Sequence, residues 1–386
     1  MRKSRLTALV AALTSTLLVV SGTAGYAKDQ TVRVNGASSV QLFLDKCKAG
    51  YASTTGDTYS GYTAPGSGAG KTAIGNGTVD IGLSDSENKN ADMPAGMLHI
   101  PFVAWPVTIM YNLNSSKSVN LSTDTIAKIF AGKITMWNDP QIAADNNKTY
   151  KTPIYKKGPD GKPVLDKNGA PVVLRYSQTK TYYTFPAKKI IVIYRIGNSG
   201  TSNNFTTALN KLAPTVWTKP GSDAFATAFP GDITSDPIGF QGGANAAALG
   251  QLAASTKYSI TYNDFAFSVA NNLGVVNVIN PAGNAIAPSS TEGMLASFSV
   301  AKYNSNGIVT FDYTNSLAGQ YPFPATTYAM VLPKYSSAAL AGAVKDWINF
   351  HAFNCPALAS GTGFGVTTKT SDFGKQITAL VAKIGS

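Results

Sequence analysis

The chain has 386 residues, 44% hydrophobic but only 13% charged, with a formal net charge of +12 at pH 7. Two histidines and two cysteines leave little material for a metal centre or a histidine-dependent hydrolase. No dense Lys/Arg run with interleaved aromatics marks a nucleic-acid surface, and the length favours two domains over one.

The first 27 residues, MRKSRLTALVAALTSTLLVVSGTAGYA, begin with Arg2, Lys3 and Arg5, continue with an apolar run from Leu6 to Val20, and end in small residues at Ala27. That is the pattern of a secretory signal peptide over 1–27, cleaved after Ala27 or Ala24. The run is short for a bilayer span. The expectation is a soluble chain, periplasmic or secreted, with no stable membrane insertion. Without the three basic residues of the leader, 29 Lys and Arg face 20 Asp and Glu, a net charge of +9.

Thr31–Val34 reads as a strand, and Asn35-Gly36-Ala37-Ser38-Ser39 as a turn into a helix beginning near Gln41. Cys47 on that helix has one possible partner, Cys355. An even pair in an oxidising compartment points to a disulfide, the alternative being two buried thiols. A loop that long would give a bridge worth up to about 5 kcal/mol in the chain-entropy model. Thr58–Ala64 reads as a second strand and leads into PGSGAGKT, Pro65 to Thr72, which misses the P-loop pattern G-x-x-x-x-G-K-[ST] only at Pro65. A glycine turn opening a helix there can still cradle an anion. ATP is scarce outside the cytoplasm, which argues against a nucleotide. Thr78–Leu83 is a third strand, ending at Ser84-Asp85. Alternation of strand, turn and helix predicts an α/β fold with largely parallel strands.

Leu98–Leu113 is apolar and interrupted by prolines, and reads as two strands with a break. A helix capped by Ser122 or Thr123 lies within Leu121–Trp137, with Lys128 and Lys133 solvated at its end. Tyr150–Pro186 carries DGKP and KNGA turns between β-formers, an exposed hairpin insertion placed at 145–187. Lys188–Arg195 is a strong strand running into Ile196-Gly197-Asn198-Ser199-Gly200-Thr201 and a helix through Leu212. Tyr258–Tyr262, Val275–Ile279 and Thr326–Leu332 read as strands, and Ser336–Phe353 as a helix.

Serine-bearing turns at Ser38, Ser67 and Ser199, each after a strand and before a helix, could aim three helix N-termini at one anion. Arg195, at a strand end, offers a fork that matches phosphate. Asp85 suits a protonated oxyanion: it would accept a hydrogen bond from HPO₄²⁻ or H₂PO₄⁻ and repel sulfate, which has no proton to give. Neither His99 nor His351 stands in a metal-ligand spacing, no G-x-S-x-G elbow occurs, and the loop acids lack calcium-loop spacing. Neither an enzymatic activity nor a cofactor is expected.

NGASS (35–39), PGSGAG with TVDIGLSD (65–70, 78–85), IAKIFAGKITMWNDP (126–140) and RIGNSGTSNNFT (195–206) resemble the periplasmic phosphate-binding component of bacterial Pst phosphate-import ABC systems. Weaker similarity continues through 242–249, 258–274 and 326–334, leaving out the insertion. The resemblance implies a two-lobed type II binding-protein fold with two hinge crossings, closing on inorganic phosphate. It implies phosphate-binding roles for Ser38, the backbone N–H of Ser39, Ser67, Asp85 as acceptor and Arg195 as cation. Ser199, Gly200 and Thr201 are the remaining donors it implies. Lobe one would comprise 28–105 and 325–386, lobe two 106–324, with hinges near 101–111 and 321–328; both cysteines would then share lobe one. An ABC permease is the implied partner of a monomeric protein. The chain departs from the family at Ser39, where an aromatic residue is common, and at Gly197, where an acid usually orients the arginine. A different reading of the same fold is a secreted adhesin, matrix component or phosphate scavenger that feeds no transporter.

Overall fold

A computed structural model describes residues 30–113, 118–359, 363–365 and 367–386; the expected leader, 1–27, lies outside the described residues. Seven strands follow one another across the main sheet: Phe240–Gly243, Ile191–Arg195, Ser259–Asp264, Leu98–Tyr111, Pro324–Val331, Ile81–Ser84 and Val34–Gly36. The two outer groups pair in parallel, Ile191–Arg195 with both of its neighbours and Val34–Gly36 with Ile81–Ser84. The central strands run antiparallel to their neighbours. The sheet is therefore mixed, which corrects the expectation of largely parallel strands. Helical crossovers are needed only within each outer group, and periodicity does not reveal which strands become neighbours.

Leu98–Tyr111 is a single buried strand of 14 residues rather than two. The break read from its prolines is a bulge: Thr327 pairs with Val103 but Tyr328 with Pro101, leaving Phe102 unopposed. The strand also changes partners along its length. Leu98–Pro106 pairs with Pro324–Val331, whereas Val107–Tyr111 pairs with Ser259–Asp264 and the start of Gly274–Ile279. At the changeover Pro106 stands opposite Pro324, and neither has an N–H to give the ladder.

Two early strands are shorter than expected. Thr31–Val32 and Thr58–Tyr59 form a small parallel pair of their own, and Val34–Gly36 resumes in the main sheet. The interruption falls at Arg33, whose guanidinium holds the buried Asp80 at 2.6 Å. The helices Thr123–Phe130, Gly200–Leu212 and Ala338–Phe353 begin at Ser122, Ser199 and Ser337, which accept from backbone N–H groups in the first turn, whereas Gln41–Thr55 begins where expected but after Val40, with no side-chain cap from Ser38 or Ser39. Lys128 is not simply solvated: its ammonium meets Asp124 at 2.8 Å and Gln141 at 2.9 Å.

Cys47 and Cys355 form the expected disulfide, joining the first helix to the C-terminal segment. All four tryptophans, Trp105, Trp137, Trp217 and Trp347, are fully buried. His351 stacks on Trp347 in that core, and burial pushes its imidazole down to about 3. The insertion is a hairpin of Thr149–Tyr155 against Val173–Lys180, with both expected turns at its tip, where Gly161 and Gly169 adopt positive φ. No helix among the described residues is long and apolar enough to cross a membrane.

Candidate anion-binding site

The main sheet brings the strand-to-helix turns of both outer groups to one place. Ser38 and Ser39 precede the Gln41–Thr55 helix, Ser67 begins Ser67–Gly75, and Ser199 caps Gly200–Leu212. All eight residues expected at the site are buried: Ser38, Ser39, Ser67, Asp85, Arg195, Ser199, Gly200 and Thr201.

Asp85 is the hub. Ser39 Oγ donates to its two carboxylate oxygens at 2.8 and 2.9 Å, Thr201 Oγ1 to one at 3.1 Å, and Thr327 Oγ1 to the other at 2.7 Å. Its backbone N–H donates to Ser67 Oγ at 3.1 Å, and Asn204 Nδ2 donates to its carbonyl at 2.5 Å. Burial is the largest influence on the carboxyl and pushes it up to about 6, against the three hydroxyl donors and Arg195, which pull it down.

Arg195 lies across from the carboxylate. Its Nη1 donates to Ser38 Oγ at 2.9 Å, and the backbone N–H of Ala246 reaches the same oxygen at 3.2 Å. Burial lowers the guanidinium from its ordinary value, partly offset by Tyr262 and Asp85. Its Nε is buried with no hydrogen-bond partner among the described residues. A buried charged donor left over in this way suits a forked contact with an oxyanion.

The turns pack closely around this centre. A Cβ on Gly200 would come within 2.8 Å of the Asp85–Ser86 backbone, so no other residue fits there without displacement. The backbone N–H of Gly68 donates to the carbonyl of Asn198 at 3.3 Å, joining the first turn group to the second. Beside it Lys71 Nζ, on a buried side chain, donates to Ser86 Oγ at 2.9 Å and meets Asp223 at 2.7 Å. Ser86 Oγ donates to the other oxygen of Asp223 at 2.8 Å. The lysine of PGSGAGKT is thus engaged by a carboxylate.

Both departures from the family pattern have a structural account. Ser39 turns its hydroxyl onto Asp85. Gly197 sits exposed in a left-handed turn (φ 77°) that disfavours a side chain. Arg195 is held by Ser38, with its N–H resting on Tyr262 Oη at 3.3 Å, rather than by an acid at position 197.

Sequence reading missed Thr327, Asn204 and Tyr262, and also a fourth strand-to-helix turn. Asn245 caps Ala246–Ser255 after the Phe240–Gly243 strand, repeating the pattern seen at Ser199. Thr327 left no such signal, because the burial that makes its hydroxyl need a partner is decided by the fold. His99 is elsewhere, accepting from the Asn88 N–H at 3.0 Å, with burial pushing its imidazole down to about 4. A hollow of about 450 Å³ at the base of the hairpin is lined by Asn120, Tyr150, Thr179 and Asn277 among others and includes none of the eight expected site residues.

Residues 21–353 match the family model of the PBP superfamily domain. The chain is 29% identical over 306 residues to phosphate-binding protein PstS 3 of Mycobacterium tuberculosis, covering 74% of this chain and 69% of that protein. It is 30% identical over 301 residues to phosphate-binding protein PstS 2 of the same organism, covering 74% and 70%. Among solved structures, a phosphate-binding protein from Stenotrophomonas maltophilia matches with a TM-score of 0.62 at 19% identity, over 91% of this chain and 93% of that one. That likeness is one of fold, the two-lobed type II architecture.

Proposed function

Because the chain belongs to the PBP superfamily and, within it, to the phosphate-binding proteins, we propose that it captures inorganic phosphate between two lobes and delivers it to an ABC importer. The observation that carries this reading is the burial in one cluster of Arg195, with an Nε–H that has no partner among the described residues, and Asp85, ringed by hydroxyls. The arginine supplies charge and a fork. The carboxylate accepts the proton that phosphate carries, and sulfate in the same place would meet a negative oxygen without a proton between them. Ser38, Ser39, Ser67, Ser199, Gly200 and Thr201 complete the donors, at helix N-termini whose dipoles favour an anion.

In this reading lobe one is 28–105 with 325–386, and lobe two is 106–324. The chain crosses between them near the Pro106–Pro324 pair, where neither proline has an N–H to give the ladder. Phosphate favours the closed arrangement because donors from both lobes reach it only there. The protein acts outside the cytoplasm as a monomer and performs no catalysis. Calorimetric titration of protein unfolded and refolded to strip retained ligand should show tight one-to-one phosphate binding and no sulfate response. Arg195→Ala should weaken phosphate binding by about a hundredfold or more, the scale of losing a charged hydrogen-bonding partner. Absence of phosphate binding by the stripped wild type would overturn the proposal.

A further inference from the structure

The net charge of the chain is concentrated in one place. Residues 148–180 hold eight lysines and arginines against two acids, Asp160 and Asp166, so 33 residues carry a net +6 of the chain's +12. All eight basic side chains are exposed. The two acids serve the turns: Asp160 accepts from the Lys162 N–H, and Asp166 from the N–H groups of Asn168 and Ala170. Three lysines approach a carboxylate, but only at 3.7 to 4.0 Å and at exposed positions, so the positive field of the hairpin is left largely uncompensated.

The same element exposes apolar and aromatic groups. Leu174 is 62% exposed, and Tyr176 and Leu165 44% each; Tyr182, just beyond the hairpin, is 61% exposed. Leu174 is the extra residue of a bulge, lying between Arg175, which pairs with Ile154, and Val173, which pairs with Tyr155. Leu165 lies between the two tip turns, within three residues of Lys162 and Lys167. Lysine ammonium groups beside exposed leucine and tyrosine suit an interface with an acidic face and an apolar layer beneath it. A soluble polyanion would use the lysines alone.

We propose that the 148–180 hairpin is a docking surface for an anionic lipid bilayer, adsorbing the protein to the membrane without spanning it. Its lysines would meet lipid headgroups while Leu165, Leu174 and Tyr176 enter the headgroup boundary. The inference stands apart from phosphate capture, since the hairpin contributes no residue to the buried cluster.

The test is co-sedimentation of protein purified after export with vesicles of phosphatidylcholine alone or with a third phosphatidylglycerol, at low and high salt. The protein should pellet with the anionic vesicles at low salt, stay in solution with the neutral ones, and release as salt rises. Replacing Lys156, Lys157, Lys162 and Lys167 with Gln should weaken vesicle binding by at least about tenfold, each basic group near an anionic surface being worth up to about 1 kcal/mol. Leu165→Ser with Leu174→Ser should weaken vesicle binding and leave any binding to polyphosphate in solution unchanged. Phosphate titration of the same preparations should be unaltered, which separates this inference from the proposed function. No partition onto anionic vesicles, equal partition by the lysine variant, or indifference to the leucine changes would overturn it. Lysine-dependent pelleting without vesicles would assign the surface to a second copy instead.

Discussion

Asp85 combines burial with a charge, and its energetics follow from that conflict. Its folded-state value of about 6 lies above the ordinary 3.8, so between these values the folded chain binds more protons than the unfolded one. The contribution of this group to stability is therefore fully present below about pH 4 and lost as pH rises through about 6. Above that, the ionised carboxylate costs the ligand-stripped fold roughly 3 kcal/mol. Asp85→Asn should raise the melting temperature of stripped protein at pH 7.5, and that gain should shrink toward pH 5. Thermal unfolding at both pH values checks this, and a gain that does not change with pH would contradict the assignment. In the proposed site the same group sets ligand preference. Acidification through about pH 6 should weaken phosphate binding and admit sulfate, because a protonated carboxyl donates where the ionised form accepts; paired titrations at pH 5 and 7.5 read both. Asp85 and Arg195 were legible because a strand-end acid and a strand-end arginine beside serine turns form a recognisable set. Thr327 was not, because it reaches the acid from a strand more than 240 residues away.

Among the elements, the helix from Ser67 to Gly75 shows why PGSGAGKT resembles a P-loop and still differs from one. The glycine turn opens a helix, as the pattern requires. Lys71 is held by Asp223 and Ser86, and Asp223 belongs to the segment that packs back against Ser199. The Ser199 N–H itself donates to the Asp223 carbonyl at 2.9 Å. Lys71 belongs to the proposed lobe one and Asp223 to lobe two, so in that arrangement the ion pair exists only when they meet and adds to the closed state alone. Lys71→Met and Asp223→Asn should each weaken phosphate binding by roughly tenfold, and the double variant by less than the product of the two, as contacting residues couple by about 0.5–3 kcal/mol. A double-mutant cycle on the phosphate Kd measures this, and strict additivity would reduce the pair to a local contact.

At the scale of the whole molecule, the disulfide and the partner change within Leu98–Tyr111 are separate devices. Cys47 and Cys355 are fully buried among the aromatic residues of Gln41–Thr55 and Ala338–Phe353, away from Asp85 and Arg195. Replacing both with Ala should lower stability by about 2–5 kcal/mol, the usual range for a native bridge, while leaving phosphate affinity within about twofold. Chemical denaturation and titration of one preparation would show both; a large loss of affinity would mean the bridge shapes the site. The partner change at Pro106 was partly legible, since Pro101 and Pro106 interrupt the apolar run of Leu98–Tyr111 visibly. Their consequence was misread as two strands, because two prolines in a row of β-formers look the same in sequence whether the strand ends or bulges and changes partners.

The sequence by itself determined the local devices: the serine caps at Ser122 and Ser199, the glycine turn before Ser67, the hairpin turns at Gly161 and Gly169, and the acid and arginine at strand ends. Each depends on residues within a few positions of one another, whose chemistry limits the backbone directly. Tertiary structure alone decided the mixed strand order, the partner change within Leu98–Tyr111, the three hydroxyls on Asp85 and the capture of Lys71 by Asp223. Those depend on which distant segments share a buried volume, and a one-dimensional pattern of polarity carries no term for that.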